Sequence, residues 1–179
     1  MPIPSGKHAL GPQDAELLVH TRRTGAAAKA GHDLVIEVAS WSGTLEIGQE
    51  PTQSSVILRA DGGSLQVREG TGGMTALGDE EKANITKTID DEVLKQESIE
   101  FRSTAVNGDG ERLQVQGELE LMGQRRPVQF ELTISDDGKL TGSATIKQSD
   151  WGIKPYSILF GTMKVVDEVV VTIEGNLKS

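Results

Sequence analysis

No cysteine occurs in the chain, which removes disulfide frameworks, thiolate zinc sites, iron–sulfur clusters and cysteine nucleophiles together. Aromatic residues are scarce, 3% of 179 positions, so the interior must rest on aliphatic side chains. Histidine is nearly as rare, with only His8, His20 and His32. No apolar run approaches the roughly 20 residues of a membrane-spanning helix, so any link to lipid points to binding and not to insertion. Residues 1–14 are rich in Pro, Gly and polar side chains and lack the apolar stretch of a secretory leader, from which a cytoplasmic protein is expected. Positive charge is short as well: 18 Lys and Arg against 27 Asp and Glu leave a net charge of -9, which repels phosphate backbones and anionic surfaces. The basic pairs Arg22-Arg23 and Arg125-Arg126 do not offset this, and nucleic acid is not an expected partner.

What is present is ordinary globular chemistry, 36% hydrophobic and 25% charged, in a length that suits one domain. Residues 1–15 read as a flexible N-terminal segment and 16–179 as the domain. The dominant pattern is alternation of period two, the mark of half-buried antiparallel strands. Ile99, Phe101, Ser103 and Ala105 form one such face, followed by the turn residues Asn107-Gly108-Asp109-Gly110. Leu113, Val115, Gly117, Leu119 and Leu121 form the next, and Val128, Phe130, Leu132 and Ile134 a third after Met122-Gly123. Leu140, Gly142, Ala144 and Ile146 follow the turn Asp136-Asp137-Gly138, and Val169, Val171 and Ile173 make a final strand.

The N-terminal half repeats the pattern over 17–24, 34–38, 43–47, 56–60 and 65–67, with a break at Asp61-Gly62-Gly63 and room for long bent strands. The one good helix candidate spans 79–96: Asp79, Glu80 and Glu81 open it, and Ile85, Ile89 and Val93 make a single apolar stripe. Many short strands with one helix argue for an all-β sandwich or barrel. The small inward residues favour a barrel, because an eight-stranded barrel lined by short side chains keeps room for one apolar ligand.

Several of these segments carry a resemblance. Gly31-His32-Asp33-Leu34, Trp41-Ser42-Gly43, Ser64-Leu65-Gln66-Val67 and Ile99-Glu100-Phe101-Arg102-Ser103-Thr104 resemble, in order and spacing, the strand signatures of the YceI-like family. Gly117-Glu118-Leu119-Glu120-Leu121-Met122-Gly123 with Arg126-Pro127-Val128 is similar to that family's hairpin, and Gln148-Ser149-Asp150-Trp151-Gly152-Ile153 to its late motif. The resemblance implies a lipocalin-like antiparallel barrel of about eight strands with a helix beside its mouth. It also implies a pore for polyprenyl-type lipids or fatty-acid-like amphiphiles, no catalysis, no cofactor beyond such a bound lipid, and a homodimer. Many members are secreted or periplasmic, so the missing leader is a departure. So is the stretch 65–98, where a Gly-rich loop and an acidic helix stand in place of the Arg-Asp-x-His-Leu segment of many relatives.

On this reading the lipid contacts are Leu58, Phe101, Leu113, Val115, Phe130, Leu132, Ile146 and Val171 on inward strand faces, with Trp151, Ile153 and Tyr156 in the late loop; each can equally fill a core. The catalytic readings are weaker. His32 and Asp33 are neighbours that an extended chain points to opposite faces. Asp150, Asp167 and Glu168 lack a visible partner for paired-carboxylate chemistry. Ser54, Ser55, Ser64, Ser103 and Ser149 sit in no Gly-x-Ser-x-Gly elbow, and the Gly-rich stretch 70–78 lacks the Gly-Lys-Ser/Thr ending of a phosphate loop. The expectation is a lipid carrier or store, with an interaction module of filled interior, or an enzyme acting on a lipid head group, as alternatives.

Overall fold

The computed structural model describes residues 5–26, 32–72, 77–109, 111–158 and 163–177. Gly31 of the first motif, positions 73–76 of the Gly-rich stretch and Gly110 of the expected turn lie outside them. The described strands are β1 (Gly6–Leu10), β2 (Ala15–Thr21), β3 (Arg23–Thr24), β4 (Asp33–Val38), β5 (Trp41–Ile47), β6 (Ser55–Asp61), β7 (Leu65–Thr71), β8 (Ser98–Gly108), β9 (Arg112–Leu121), β10 (Gln124–Ile134), β11 (Lys139–Lys147), β12 (Ser157–Ile158), β13 (Met163–Val165) and β14 (Glu168–Asn176). Eleven of them form one antiparallel sheet in the order β1-β5-β6-β8-β9-β10-β11-β14-β2-β4-β7, and β12-β13-β3 form a small second sheet.

The large sheet curls because two of its ribbons bend. The paired strands β5 and β6 continue through the Asp61 N–H to Ser40 O bond (3.0 Å) and the Ala39 N–H to Ser64 O bond (3.1 Å) into the paired strands β4 and β7. One end of the sheet is thereby carried round to the other, and Val38, Trp41, Ala60 and Leu65 are buried in the corner. The strand count exceeds the expected eight for two reasons. Each bent ribbon strand registers as two, and Gly6–Leu10 is not a flexible segment but an edge strand, in register with β5 from Gly6 opposite Ile47 to Leu10 opposite Gly43.

The outer face of the sheet is held in register by charge. Arg59 on β6 reaches Glu100 on β8 at 3.0 Å, and Arg125 on β10 reaches Glu120 on β9 at 3.0 Å. This matters because Glu100 and Glu120 are directly opposed across β8 and β9, a like-charge pair that the two arginines neutralise. The inner alternation slips once. A bulge between Ser103 and Ala105 leaves Ala105 exposed and turns Val106 inward, contrary to simple period two.

The helix is shorter than expected. Helix α1 (Asp79–Thr88) runs on into a single π-helical turn, Ile89–Val93, closed by the Leu94 N–H to Ile89 O bond of 2.9 Å. It stops because Lys95 and Gln96 adopt left-handed φ of 52° and 59°, with the Gln96 amide donating to Asp90 at 2.8 Å. The helix lies against β7, the edge of the sheet, where the Val67 N–H donates to the Thr86 hydroxyl at 3.0 Å. An edge that would otherwise present unpaired backbone is covered.

Candidate functional site

The interior divides into two parts. Toward the β8–β9 and β10–β11 turns it is filled: Leu113 is 2% exposed, and Val115 and Ile134 are fully buried, with Ile47, Val106 and Leu177 around them. The turns at this end are tied together by the Ile134 N–H to Glu111 O bond (2.9 Å) and the Leu177 N–H to Gly138 O bond (2.8 Å). Toward the helix and the small sheet the interior is open and holds a cavity of about 740 Å³.

Of the eleven side chains expected to meet a ligand, eight line this cavity: Leu58, Phe101, Phe130, Leu132, Ile146, Ile153, Tyr156 and Val171. Leu113 and Val115 do not. They share the alternation of the others, but their end of β9 lies within the filled cluster. Trp151 does not border it either. It is 3% exposed, and its indole N–H donates to Leu119 O at 2.9 Å, so the ring plugs the wall behind the cavity.

Sequence reasoning missed a second set of lining residues. Leu17 and Val19 of β2 and Leu34 and Ile36 of β4 face the same space, on the same alternating pattern that marks the later strands. The apolar stripe of the helix also belongs to the site, for Ile85, Ile89 and Val93 border the cavity and pack against its core. The π turn gives the stripe its last element, bringing Leu94 onto the face that Ile89 occupies.

The cavity meets solvent at the end where its lining includes Tyr156, 41% exposed, with Glu81 and Lys164. Polar groups gather there. The Arg23 N–H donates to Asp33 at 2.9 Å, while its guanidinium donates to Thr71 O at 2.8 Å and lies 3.7 Å from the Asp33 carboxylate. Arg23 thus spans from β3 to the end of β7 at the rim. The late motif is a 3₁₀ turn, Gln148–Trp151, that Asp167 pins from below: its carboxylate accepts the Ser149 N–H at 2.8 Å and the Ser149 hydroxyl at 2.5 Å. The turn ends on Gly152 at φ 76°, which delivers Ile153 to the cavity wall.

The chemistry of this room is apolar. Glu81 is the one carboxylate among its described lining residues, so paired-carboxylate hydrolysis has no geometry here. The carboxyl groups held below their usual range lie elsewhere. Hydrogen bonding from Arg59 lowers Glu100, the backbone N–H groups of Arg112 and Glu111 lower Asp109, and the Ser135 hydroxyl with the Lys139 N–H lowers Asp137. None of these three borders the cavity. The serines are engaged structurally: Ser54 accepts the Gly48 N–H, Ser103 accepts the Val56 N–H, and Ser64 donates to Asp61 O. His20 bonds Thr172 across β2 and β14 at 2.9 Å. Among the described residues no group of three His, Asp or Glu is placed to hold a metal ion, and no helix is long and apolar enough to cross a membrane.

Known structures share this architecture. The Burkholderia cenocepacia BcnA crystal structure superposes at a TM-score of 0.65 with 15% identity, covering 89% of this chain and 94% of that one. A polyisoprenoid binding domain from Saccharophagus degradans, implicated in plant cell wall breakdown, gives 0.52 with 11% identity over 96% of this chain and 99% of its own. The Campylobacter jejuni YceI protein gives 0.52 with 15% identity over 80% and 85%. At these identities the likeness establishes the fold. A search of curated protein sequences finds no match. The YceI-like domain, however, matches residues 19–177, from the middle of β2 to the end of β14 and just beyond, and the chain belongs to the YceI-like family.

Proposed function

We propose that this protein binds a long-chain apolar lipid, of isoprenoid or fatty-acid-like type, inside the barrel and carries or stores it without changing it chemically. The observation that carries this reading is the preformed cavity of about 740 Å³ walled by aliphatic side chains from all eleven strands of the large sheet and from the helix. Water gains little in such a room, whereas each CH₂ buried there contributes about 0.8 kcal/mol. Some twenty buried groups give roughly 16 kcal/mol gross, which exceeds the roughly 4–15 kcal/mol cost of association. The polyisoprenoid binding described for the Saccharophagus degradans domain supports the ligand class. That Glu81 is the one carboxylate among the described lining residues supports a binding role over catalysis.

The test is lipid uptake by delipidated protein, with Ala144→Phe as the comparison. Ala144 lines the cavity opposite Val171 on the neighbouring strand, so a phenyl ring at 144 fills space the lipid needs. Wild type takes up geranylgeraniol at one molecule per chain, and the variant binds it at least about tenfold more weakly, the loss of two or more buried methylenes. Equal uptake by both proteins, or none by wild type, contradicts the proposal.

A further inference from the structure

The cavity is short, and it has a floor. Leu45, Phe101, Leu132 and Leu140 belong at once to the cavity wall and to the filled cluster, so they form the boundary between the two. Behind them Leu113, Val115 and Ile134 leave no passage onward. Two glycines within strands build this floor. A Cβ on Gly117 of β9 would lie 2.5 Å from the Phe101 ring, and one on Gly142 of β11 would lie 2.5 Å from a Leu132 methyl. Where these strands carry no side chain, large side chains of adjoining strands lie across the barrel interior and block it.

The opposite end is where a polar head group can stay wet, beside Tyr156, Glu81 and Lys164. An occupant is therefore measured between a fixed floor and an open rim. The room of about 740 Å³ can be counted in groups of roughly 30 Å³, the liquid share of one water and near the size of a methylene, which gives about 25 carbon-sized groups. We infer that the barrel selects its lipid by length, enclosing one apolar chain of about four to five isoprene units and gaining nothing from carbons beyond that. This rests on the lipid-binding reading above.

The experiment is a chain-length series on delipidated wild-type protein with geraniol, farnesol, geranylgeraniol and solanesol, affinities being compared by competition in native mass spectrometry. Each further methylene that enters the cavity multiplies affinity by up to about fourfold, so affinity climbs steeply from geraniol to geranylgeraniol. Solanesol, about twice as long as geranylgeraniol, gains no more. An affinity that keeps climbing to solanesol, or that is flat across the series, overturns the length selection while leaving lipid binding intact. No binding of any of the four overturns the lipid-binding reading itself. Two variants locate the floor independently. Phe130→Ala moves the break toward longer chains by about one isoprene unit, and Ala144→Phe moves it toward farnesol. A break unmoved by a folded variant of either kind contradicts the floor assigned here.

Discussion

The ring centroids of Phe101 and Phe130 lie 5.2 Å apart with their planes inclined at 58°, although β8 and β10 are not neighbours in the sheet. They meet across β9 because Gly117 places no side chain between them. A tilted aromatic pair at this distance is mutually attractive beyond its buried area. Here it also marks the level at which the open part of the barrel gives way to the filled part.

Gly117→Ala tests that contact. The added Cβ would sit 2.5 Å from the Phe101 ring and 2.5 Å from the Arg102 carbonyl oxygen, so backbone as well as side chain must shift. A loss of about 1–3 kcal/mol in urea unfolding is expected. A variant as stable as wild type contradicts the packing described.

Leu113 and Leu58 are the same residue type on the two sides of the boundary. Leu113→Ala opens a void in filled core and is expected to cost about 3 kcal/mol, whereas Leu58 already faces space and its truncation costs about 1 kcal/mol. Denaturant unfolding of the two variants side by side checks this, and equal losses argue against an empty cavity.

The two tryptophans differ in the same manner. Trp151 donates its indole N–H to Leu119 O at 2.9 Å, so Trp151→Phe removes that bond together with some packing and is expected to cost about 1–2 kcal/mol. The Trp41 indole nitrogen is buried without a hydrogen-bond partner, and Trp41→Phe removes an unpaired donor together with some packing. Its cost is the smaller of the two. Thermal unfolding that ranks the variants in the opposite order contradicts the assignment.

Much of this could be read from alternation alone, and the failures are instructive. Val115 and Phe130 are direct partners across β9 and β10 and read identically as inward residues, yet one is sealed in core and the other borders the cavity. The difference lies in which neighbouring position carries a glycine, Gly117 leaving the Phe130 ring room to lean toward Phe101, and that is not local to either residue. The end of the helix was hidden because Lys95 and Gln96, neither of them the glycine or asparagine that usually signals a stop, take the left-handed conformation. The strand Gly6–Leu10 lacks β-branched residues and owes its form to pairing with β5. The late motif, by contrast, was visible as a unit, while its anchor Asp167 comes from a separate part of the chain.

Acid should weaken the outer ladder and the hairpin turns. The folded state holds Glu100, Asp109 and Asp137 below the ordinary carboxylate range, so it binds these protons less readily than the unfolded chain does. Their stabilisation is fully present above the unfolded values near pH 4 and is lost as pH falls through the lowered folded values. Asp109 and Asp137 are exposed and Glu100 is half-buried beside solvent-exposed Arg59, so the effect is modest, and the Arg59–Glu100 part of it is screened by salt. Urea midpoints that stay level from about pH 8 to 6 and fall below about pH 4 are expected. A midpoint that rises on acidification below pH 4 contradicts these assignments.

The most direct test of the whole account is native mass spectrometry of the protein purified gently from its own host, followed by organic extraction and mass analysis of what is released. A one-to-one adduct is expected, with the mass of an isoprenoid or long-acyl lipid whose apolar part numbers about 25 carbons or fewer, the volume of the cavity. Protein that carries no adduct and acquires none from a total lipid extract contradicts it.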